Sequence, residues 1–390
     1  MTHLSPGINA VEAYPFEALD RFVRAAFDQG RQLVDLGVGD PRDETPAFIR
    51  QALVDALTPV SSYPRAAGLP ELREAIAAWV ATRFGVDLDP DEHVLPILGS
   101  KEIVFALAQY VLDPAAGIDT ALVTAPGYPV PERGARFAGG RVVRLPLTRE
   151  QGFLPDLDAI DEATWARTGI LWLNYPNNPT GAAAPLSFLR EAAERCRAHG
   201  VLLASDEAYS ELWFGAEPSA SVLQAGGLDG VVAINTLSKR SSMTGYRSGF
   251  VAGDPELIAA VKRLRPAVGV TPQAFVQVAS AAAWRDETHV EQMRARYAAR
   301  RRVFLELFER RGVVVAGGDA TFYLWVQVPA PMSSLDWALH LLERADVVVA
   351  PGSFFGSEGE GYVRMAVVPS LEECERAAAA LDQVLAEVPA

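Results

Sequence analysis

The segment Thr236-Leu-Ser-Lys-Arg-Ser-Ser-Met-Thr-Gly-Tyr-Arg-Ser-Gly-Phe250 follows an apolar run and places a lysine among hydroxyl groups. Lys239 has Thr236 and Ser238 just before it, and Arg247 follows eight residues later. A lysine amine is a covalent nucleophile towards carbonyl compounds, whereas hydroxyl groups with an arginine are typical of a phosphate site. The segment therefore predicts a reactive amine beside a bound phosphate.

Lysine is rare in this chain, which makes Lys239 more distinctive. Three of the 35 basic residues are lysine, which leaves 32 arginines. Lys262 falls among solvated charges in an amphipathic helical pattern, and we interpret it as a surface residue. Lys101 stands at a predicted helix start and belongs to a second candidate anion site.

Short apolar strands alternate with helical segments through the middle of the chain. Such strands indicate an α/β fold with a mainly parallel central sheet covered by helices on both faces. One predicted helix, 186–199, ends before Gly200 at a C-cap position. The predicted strands are 121–124, 142–145, 170–174, 201–204, 231–235 and 249–252.

The pattern changes towards the C-terminus, where a charged helix is predicted at 286–311. Three further strands are predicted at 322–326, 347–350 and 362–367. We therefore predict a large ligand-binding domain over 46–283. A smaller α+β domain is expected from 1–45 together with 284–390.

Polar residues follow three of the central strands directly. Asn174, Asp206 and Thr236 each stand at the carboxyl end of a strand, where ligands bind in parallel sheets. An acid leaving an apolar strand is expected to be partly buried and to need a cationic partner. A protonated pyridine nitrogen is one such partner. The segment Tyr175-Pro-Asn-Asn-Pro-Thr-Gly181 can offer amides to a ligand, although a tight turn also explains its prolines and glycine.

A second candidate anion site lies at Gly99-Ser-Lys101, which follows a strand and begins an apolar helix. Amides and a hydroxyl group at a helix N-terminus bind anions. The alternative interpretation is a simple helix cap.

Composition excludes several classes of function. The net charge of −14 disfavours nucleic acid as a partner. Two distant cysteines make no disulfide framework, and five scattered histidines lack the spacing of metal ligands, so no metal is expected. No leader pattern and no apolar run of roughly 18 residues is present. We therefore expect a cytoplasmic enzyme acting on small molecules.

Taken together, these segments resemble the fold type I pyridoxal-phosphate aminotransferases over essentially the whole chain. The resemblance rests on the order and spacing of Gly99-Ser-Lys101, Pro126-Gly-Tyr128, Asn178-Pro-Thr-Gly181, Asp206-Glu-Ala-Tyr209, Ser238-Lys239, Arg247 and Arg364. Within that family, the stretches 94–102, 202–207 and 237–254 look most similar to N-succinyl-LL-diaminopimelate aminotransferases of lysine biosynthesis.

The resemblance implies a role for each matching residue. Lys239, Asp206 and Tyr209 would form the catalytic set, with Asp206 on the pyridine nitrogen of pyridoxal 5'-phosphate. The implied cofactor contacts are Gly99, Ser100, Lys101, Tyr128, Asn178, Asp206, Tyr209, Thr236, Ser238, Lys239 and Arg247, with Tyr63 reaching in from a neighbouring subunit. The implied substrate contacts are Gly39, Asn178, Arg364 on the α-carboxylate, and Arg65 on a distal carboxylate.

Two of these residues have plain structural alternatives. Tyr128 could be a core aromatic residue beside a Pro-Gly turn, and Arg364 a surface arginine on an edge strand. The resemblance also implies a cis peptide bond between Asn178 and Pro179.

The expected reaction transfers the amino group of glutamate to N-succinyl-2-amino-6-oxopimelate, in a homodimer with shared active sites. Alternatives within the fold are an aminotransferase for LL-diaminopimelate, alanine or aspartate, or a carbon–sulfur lyase. A cofactor-sensing transcription regulator is an alternative of another class, but no segment is expected to house its DNA-binding module.

Overall fold

The structure, a computed structural model, describes residues 2–9 and 17–387. Its helices are α1 (Pro6–Asn9), α2 (Glu17–Asp28), α3 (Ala47–Asp55), α4 (Pro70–Phe84), α5 (Ser100–Val111), α6 (Val130–Phe137), α7 (Glu162–Trp165), α8 (Leu186–His199), α9 (Leu237–Arg240), α10 (Pro255–Val268), α11 (Ala274–Trp284), α12 (Thr288–Arg311), α13 (Ser334–Ala345) and α14 (Leu371–Glu387). Its strands are β1 (Val34–Asp35), β2 (Val94–Ile97), β3 (Thr120–Ala125), β4 (Arg141–Pro146), β5 (Thr168–Asn174), β6 (Leu202–Asp206), β7 (Val231–Thr236), β8 (Gly249–Gly253), β9 (Tyr323–Gln327), β10 (Val347–Val348), β11 (Ala350–Pro351) and β12 (Tyr362–Ala366).

A seven-stranded sheet in the order β2-β8-β7-β6-β5-β3-β4 forms the centre of the fold. The run from β7 to β4 is parallel, whereas β8 pairs antiparallel with both β7 and β2. Every residue of β5, β6 and β7 is buried, because helices cover both faces of the sheet. This confirms the predicted α/β class and mainly parallel sheet.

The antiparallel strand β8 has a local cause. Parallel neighbours need a crossover of a dozen or more residues, usually a helix lying across the sheet. The link from β7 to β8 holds only the four-residue α9 and a 3₁₀ turn at Thr244–Tyr246. The chain therefore returns beside β7 in the opposite direction. The predicted C-cap of α8 is confirmed, since Gly200 has the left-handed φ of 67°.

A second, smaller sheet lies near the C-terminus. Its three antiparallel strands run in the order β11-β12-β9, and a separate parallel pair joins β1 to β10. A second apolar core packs around these strands with side chains from α12, α13 and α14. The domain boundaries at 46 and 283 remain a prediction. Residues 1, 10–16 and 388–390 of the predicted smaller domain lie outside the described part of the chain.

The segment between β1 and α3 is held against this smaller core. Asp43 accepts hydrogen bonds of 2.7 Å from both terminal nitrogens of Arg300 on α12, and both side chains are nearly buried. The Leu36 carbonyl accepts the Ala366 amide at 2.6 Å. A bidentate arginine–carboxylate pair is strong and directional, so it fixes the path of residues 36–43.

Candidate active site

A cavity of about 620 Å³ lies at the carboxyl ends of β5, β6 and β7. It brings together twelve predicted site residues: Gly39, Ser100, Lys101, Tyr128, Asn178, Asp206, Tyr209, Thr236, Ser238, Lys239, Arg247 and Arg364. Eight further residues complete its lining: Val38, Asp40, Pro129, Asn174, Ala208, Thr244, Tyr323 and Phe355. The strand ends, the segment before α3 and strand β12 thus share one site.

Lys239 is the reactive amine of this cavity. It sits on α9, a helix that Thr236 caps by accepting the Ser238 amide at 3.2 Å. Its Nζ donates to the Gly39 carbonyl oxygen at 2.6 Å. Burial lowers the pKa of Lys239 to about 8, with Asp40 opposing the shift and Arg364 adding to it. A larger fraction of this amine is therefore neutral near pH 8 than for an exposed lysine.

The two residues after Lys239 are locked in place. The Arg240 guanidinium lies over the rings of Trp284 and Trp79, 4.5 and 5.3 Å from their centroids. Ser241 Oγ lies 2.8 Å from His289 Nε2, and the other ring nitrogen of His289 is 2.6 Å from Asp286. These contacts fix α9 against the second half of α4, the end of α11 and the start of α12, so the backbone that carries Lys239 has a defined position.

Asp206 is the buried acid of the site. Burial raises its pKa to about 6, whereas the Ala208 amide, 3.2 Å from Oδ1, and the charge of Lys239 oppose the shift. Its backbone carbonyl accepts a hydrogen bond from the Asn174 side chain at 2.8 Å. A carboxylate in this position favours a ligand that brings a positively charged N–H group.

A hydrogen-bonded group around Arg364 joins the central sheet to the smaller three-stranded sheet. Arg364 donates to Asn178 Oδ1 at 2.8 Å and to the Gly37 carbonyl at 2.6 Å. Its guanidinium also lies over the Tyr323 ring, 4.2 Å from the centroid. Tyr209 and Tyr323 share a hydroxyl–hydroxyl hydrogen bond of 2.9 Å. Arg364 is buried, so the surface alternative is wrong for this residue.

Hydroxyl groups and cations line the end of the cavity near α5. Ser100 begins that helix, and a Cβ on Gly99 would overlap the Arg247 guanidinium, so only glycine lets the arginine approach. Arg247 donates to the Thr244 carbonyl at 2.9 Å. Thr236 Oγ1 lies 2.9 Å from Ser238 Oγ. A helix N-terminus with hydroxyls and a guanidinium is suited to a phosphate group.

Three predicted residues are absent from the cavity lining, and one of them, Gly99, lies beside it against Arg247. Tyr63 is fully exposed, with a relative exposure of 101%, and Arg65 is also exposed. Both lie in the loop after α3, which runs over the surface rather than into the site. Their contacts to cofactor and substrate remain predictions.

Sequence reasoning missed Asp40 and Tyr323 as site residues. Asp40 directly follows the predicted Gly39, and its charge acts on Lys239. Tyr323 lay inside a predicted strand, where its apolar neighbours marked it as a core residue. The peptide bond between Asn178 and Pro179 is cis, which confirms that prediction. Cis bonds also precede Pro126, Pro176 and Pro331.

Residues 2–9 and 17–387 form neither a metal-ligand cluster nor a membrane-spanning helix. In that part of the chain no three His, Cys, Asp or Glu side chains are grouped to hold a metal ion. No helix there combines the length and apolar character needed to cross a membrane.

Comparison with known proteins gives consistent matches over the full length. The family model for aminotransferase class I and II matches residues 31–381. LL-diaminopimelate aminotransferase of Aquifex aeolicus is 38% identical over 384 residues, covering 96% of this chain and 98% of that protein. The protein of the same name from Moorella thermoacetica is 36% identical over 385 residues, covering 98% of each.

Solved structures give matches of similar extent. Substrate-bound BacF from Bacillus subtilis superposes with a TM-score of 0.92 at 32% identity, covering 98% of each chain. A mutant of Thermus thermophilus aspartate aminotransferase gives a TM-score of 0.90 at 31% identity, covering 98% of this chain and 100% of that one.

We predict that Asp206→Asn stabilises the cofactor-free protein at pH 8. The raised pKa means that the folded state resists ionising a group that ionises near pH 3.9 when unfolded. That cost is absent below pH 3.9 and is complete above pH 6, where removing it is worth about 3 kcal/mol. Urea unfolding at pH 5 and pH 8 should show a larger gain at pH 8.

Asp229→Asn is the control, since this aspartate is exposed and should give no pH-dependent gain. An Asp206→Asn protein that is less stable than its parent at pH 8 would show that the carboxylate is an essential structural partner.

Proposed function

The chain belongs to the class I and II aminotransferases, which use pyridoxal 5'-phosphate, and from this premise we propose that it transaminates LL-diaminopimelate. The observation that carries the proposal is the convergence of Lys239, Asp206 and Arg364 on one cavity. An amine, a buried acid and a carboxylate-binding guanidinium are the three groups that amino transfer from an α-amino acid requires.

The residues present fit the cofactor. Asp206 would accept the N–H of the pyridine ring, and Tyr209 and Asn178 would contact the ring hydroxyl oxygen. Tyr128 would lie against the ring face. The phosphate would be held by Ser100, Thr236, Ser238, Arg247 and the amide of Lys101, with Gly99 making room for Arg247. When bound, the cofactor supplies an electron sink for negative charge at the substrate α-carbon.

Lys239 would act first as the attachment point and then as the proton carrier. Once released by the incoming amino group, its amine takes the proton from the substrate α-carbon as a general base. A pKa near 8 suits this role, because the amine is then neutral in part of the population and can return the proton later.

Arg364 would bind the substrate α-carboxylate. The hydrogen bonds to Asn178 and Gly37 fix its plane, and the Phe355 ring lies 4.6 Å away on one side. Each terminal nitrogen carries two hydrogens, so the guanidinium can present N–H groups to a carboxylate while staying fixed. The α-carbon is thereby oriented towards Lys239.

The choice of substrate is supported by the relatives and by the charge of the cavity. The full-length relatives named above act, by their names, on LL-diaminopimelate. Asp40 is a cavity carboxylate with no cofactor role in this proposal. It favours the distal ammonium of diaminopimelate and disfavours an N-succinyl tail, which replaces that ammonium with a neutral amide and a carboxylate. N-succinyl-LL-diaminopimelate, suggested by sequence motifs, is the competing substrate.

We also propose that the protein works as a homodimer with shared sites. Apolar side chains are exposed on α3, on the loop after it, and on α10 and α11: Val54 (55%), Leu57 (54%), Val60 (75%), Val268 (51%) and Val278 (41%). Helices α3 and α11 pack together, which brings two of these elements side by side. A second copy covering this surface would enclose Tyr63 and carry it to the neighbouring phosphate site.

The proposal keeps the cytoplasm as the compartment. Cys196 and Cys374 are both buried free thiols, which is compatible with a reducing environment.

Lys239→Ala should abolish both the visible absorption band of the bound cofactor and amino transfer. Lys262→Ala is the matched control, because that lysine lies on α10 away from the cavity and should retain both. Absorption spectra of the purified proteins, before and after addition of amino donor, measure the first effect. A Lys239→Ala protein that still transaminates would refute the mechanism.

With 2-oxoglutarate as acceptor, kcat/KM should be higher for LL-diaminopimelate than for N-succinyl-LL-diaminopimelate or alanine. Asp40→Asn should lower the LL-diaminopimelate value roughly 1.5- to 5-fold, the size expected for one solvent-accessible charge pair. Any effect of the lost charge on Lys239 is common to both donors, so the ratio of the LL-diaminopimelate value to the alanine value should fall by that factor.

Glu44→Gln is the control for that experiment, since this exposed carboxylate does not line the cavity. A higher kcat/KM for the succinylated compound would move the assignment to the succinylated pathway and leave the cofactor chemistry intact.

Sedimentation should show a dimer, and Leu57→Glu with Val60→Glu should convert it to monomers with weakened cofactor binding. Buried like charges at a self-complementary interface are costly, because each faces its symmetry copy. Leu371→Glu, an exposed apolar site on α14, should leave the dimer intact. An active monomeric parent would contradict the proposal.

A further inference from the structure

We propose that Tyr323 is a positioning residue that orients the Tyr209 hydroxyl towards the cofactor and supports Arg364 with its ring. The inference rests on the proposed function, because the two residues that it supports are assigned there to cofactor and substrate. Tyr323 was not among the residues that the sequence predicted.

The hydroxyl group of Tyr323 has a closely defined setting. Tyr323 and Tyr209 are both buried, and their hydroxyl oxygens lie 2.9 Å apart. A Cβ on Gly39 would overlap the Tyr323 hydroxyl and its ring carbon Cζ. The backbone at Gly39 therefore lies against the Tyr323 hydroxyl, which shares its hydrogen bond with Tyr209.

Either hydroxyl of the pair can donate, and the direction of the shared hydrogen bond decides what Tyr209 can offer to the cavity. If Tyr323 donates to the Tyr209 oxygen, the hydrogen of Tyr209 is directed to a third group in the cavity. Burial raises the pKa of Tyr209 well above its usual value. Tyr209 therefore stays protonated and remains a donor to the ring oxygen of a bound cofactor. If Tyr209 donated to Tyr323 instead, the Tyr209 hydrogen would be used within the tyrosine pair and would not reach the cofactor.

The ring of the same residue supports the substrate side. The Arg364 guanidinium lies 4.2 Å from the Tyr323 ring centroid. Strands β9 and β12 are neighbours, with Tyr323 opposite Ala366, two residues from Arg364. A cation over an aromatic face is attracted to it and is restricted in orientation. The hydroxyl thus acts on the cofactor and the ring on the substrate, and substitution can separate the two.

Tyr323→Phe removes the hydroxyl and keeps the ring. In the cofactor-bound protein it should raise the pH at which the visible absorption band changes, by up to about one unit, the equivalent of one neutral hydrogen bond. A donor to the ring oxygen stabilises the negative charge on that oxygen, and this charge otherwise favours the protonated form of the lysine nitrogen linked to the cofactor. Removing the donor therefore raises the pKa of that nitrogen. Because the ring stays under Arg364, KM for the amino donor should remain within about twofold while kcat falls.

The double variant with Tyr209→Phe tests whether Tyr323 acts through Tyr209. Tyr209→Phe alone should give the larger shift, and adding Tyr323→Phe should then change the titration no further. Tyr297→Phe is the control, since this buried tyrosine lies outside the cavity lining and should leave the titration unchanged. Tyr323→Leu, which removes the ring, should raise KM.

Two results would overturn the inference while leaving the proposed function standing. One is an unchanged titration in Tyr323→Phe although Tyr209→Phe shifts it. The other is a further shift when Tyr323→Phe is added to Tyr209→Phe, since Tyr323 would then act independently. A parent protein with no visible band on addition of pyridoxal phosphate would instead refute the proposed function itself.

Discussion

The lateral pairing of β5, β6 and β7 is the constraint on which the site depends. Its register places Asn174 opposite Asp206, and Thr236 ends the next strand along. Parallel strands expose their carboxyl ends at one edge, so three polar residues from distant parts of the chain meet without a long loop to gather them. A slip of one residue would turn Asp206 to the other face of the sheet. Helices cover both faces of these strands, so every residue in them is buried.

Burial shifts the pKa values of the two central ionisable groups in opposite directions, but it favours the neutral form of each group. It lowers the pKa of Lys239 and raises that of Asp206, so both groups are brought closer to their neutral forms. The surrounding protein therefore favours a ligand that supplies its own complementary charges. A ring with a protonated nitrogen and an anionic phosphate would do so, because the nitrogen would meet Asp206 and the phosphate would meet Arg247.

The sequence predicted the features that depend on local patterns. Apolar strands followed by polar residues predicted the sheet, its class, and Lys239 and Asp206 as site residues. The sequence predicted Arg364 and most of the other lining residues only through its resemblance to the aminotransferase family. It missed Tyr323 because the contact with Tyr209 joins residues 114 positions apart and leaves no local signal. The antiparallel β8 was likewise set by a short connection rather than by composition. Tyr63 and Arg65 lie on the surface of this chain, so their predicted roles depend on a second copy that a single sequence cannot position.

The immobilised backbone on either side of Lys239 limits how the amine can travel. The Arg240 guanidinium lies over two adjoining tryptophan rings, Ser241 is held by His289, and Thr236 caps the helix from the other end. With the Cα fixed, the side-chain torsions of Lys239 provide the motion between attachment point and proton carrier. The amine of Lys239 therefore moves about a fixed Cα. Its four methylene groups set the radius within which the chemistry occurs, and any substrate atom outside that radius is protected from the amine by geometry alone.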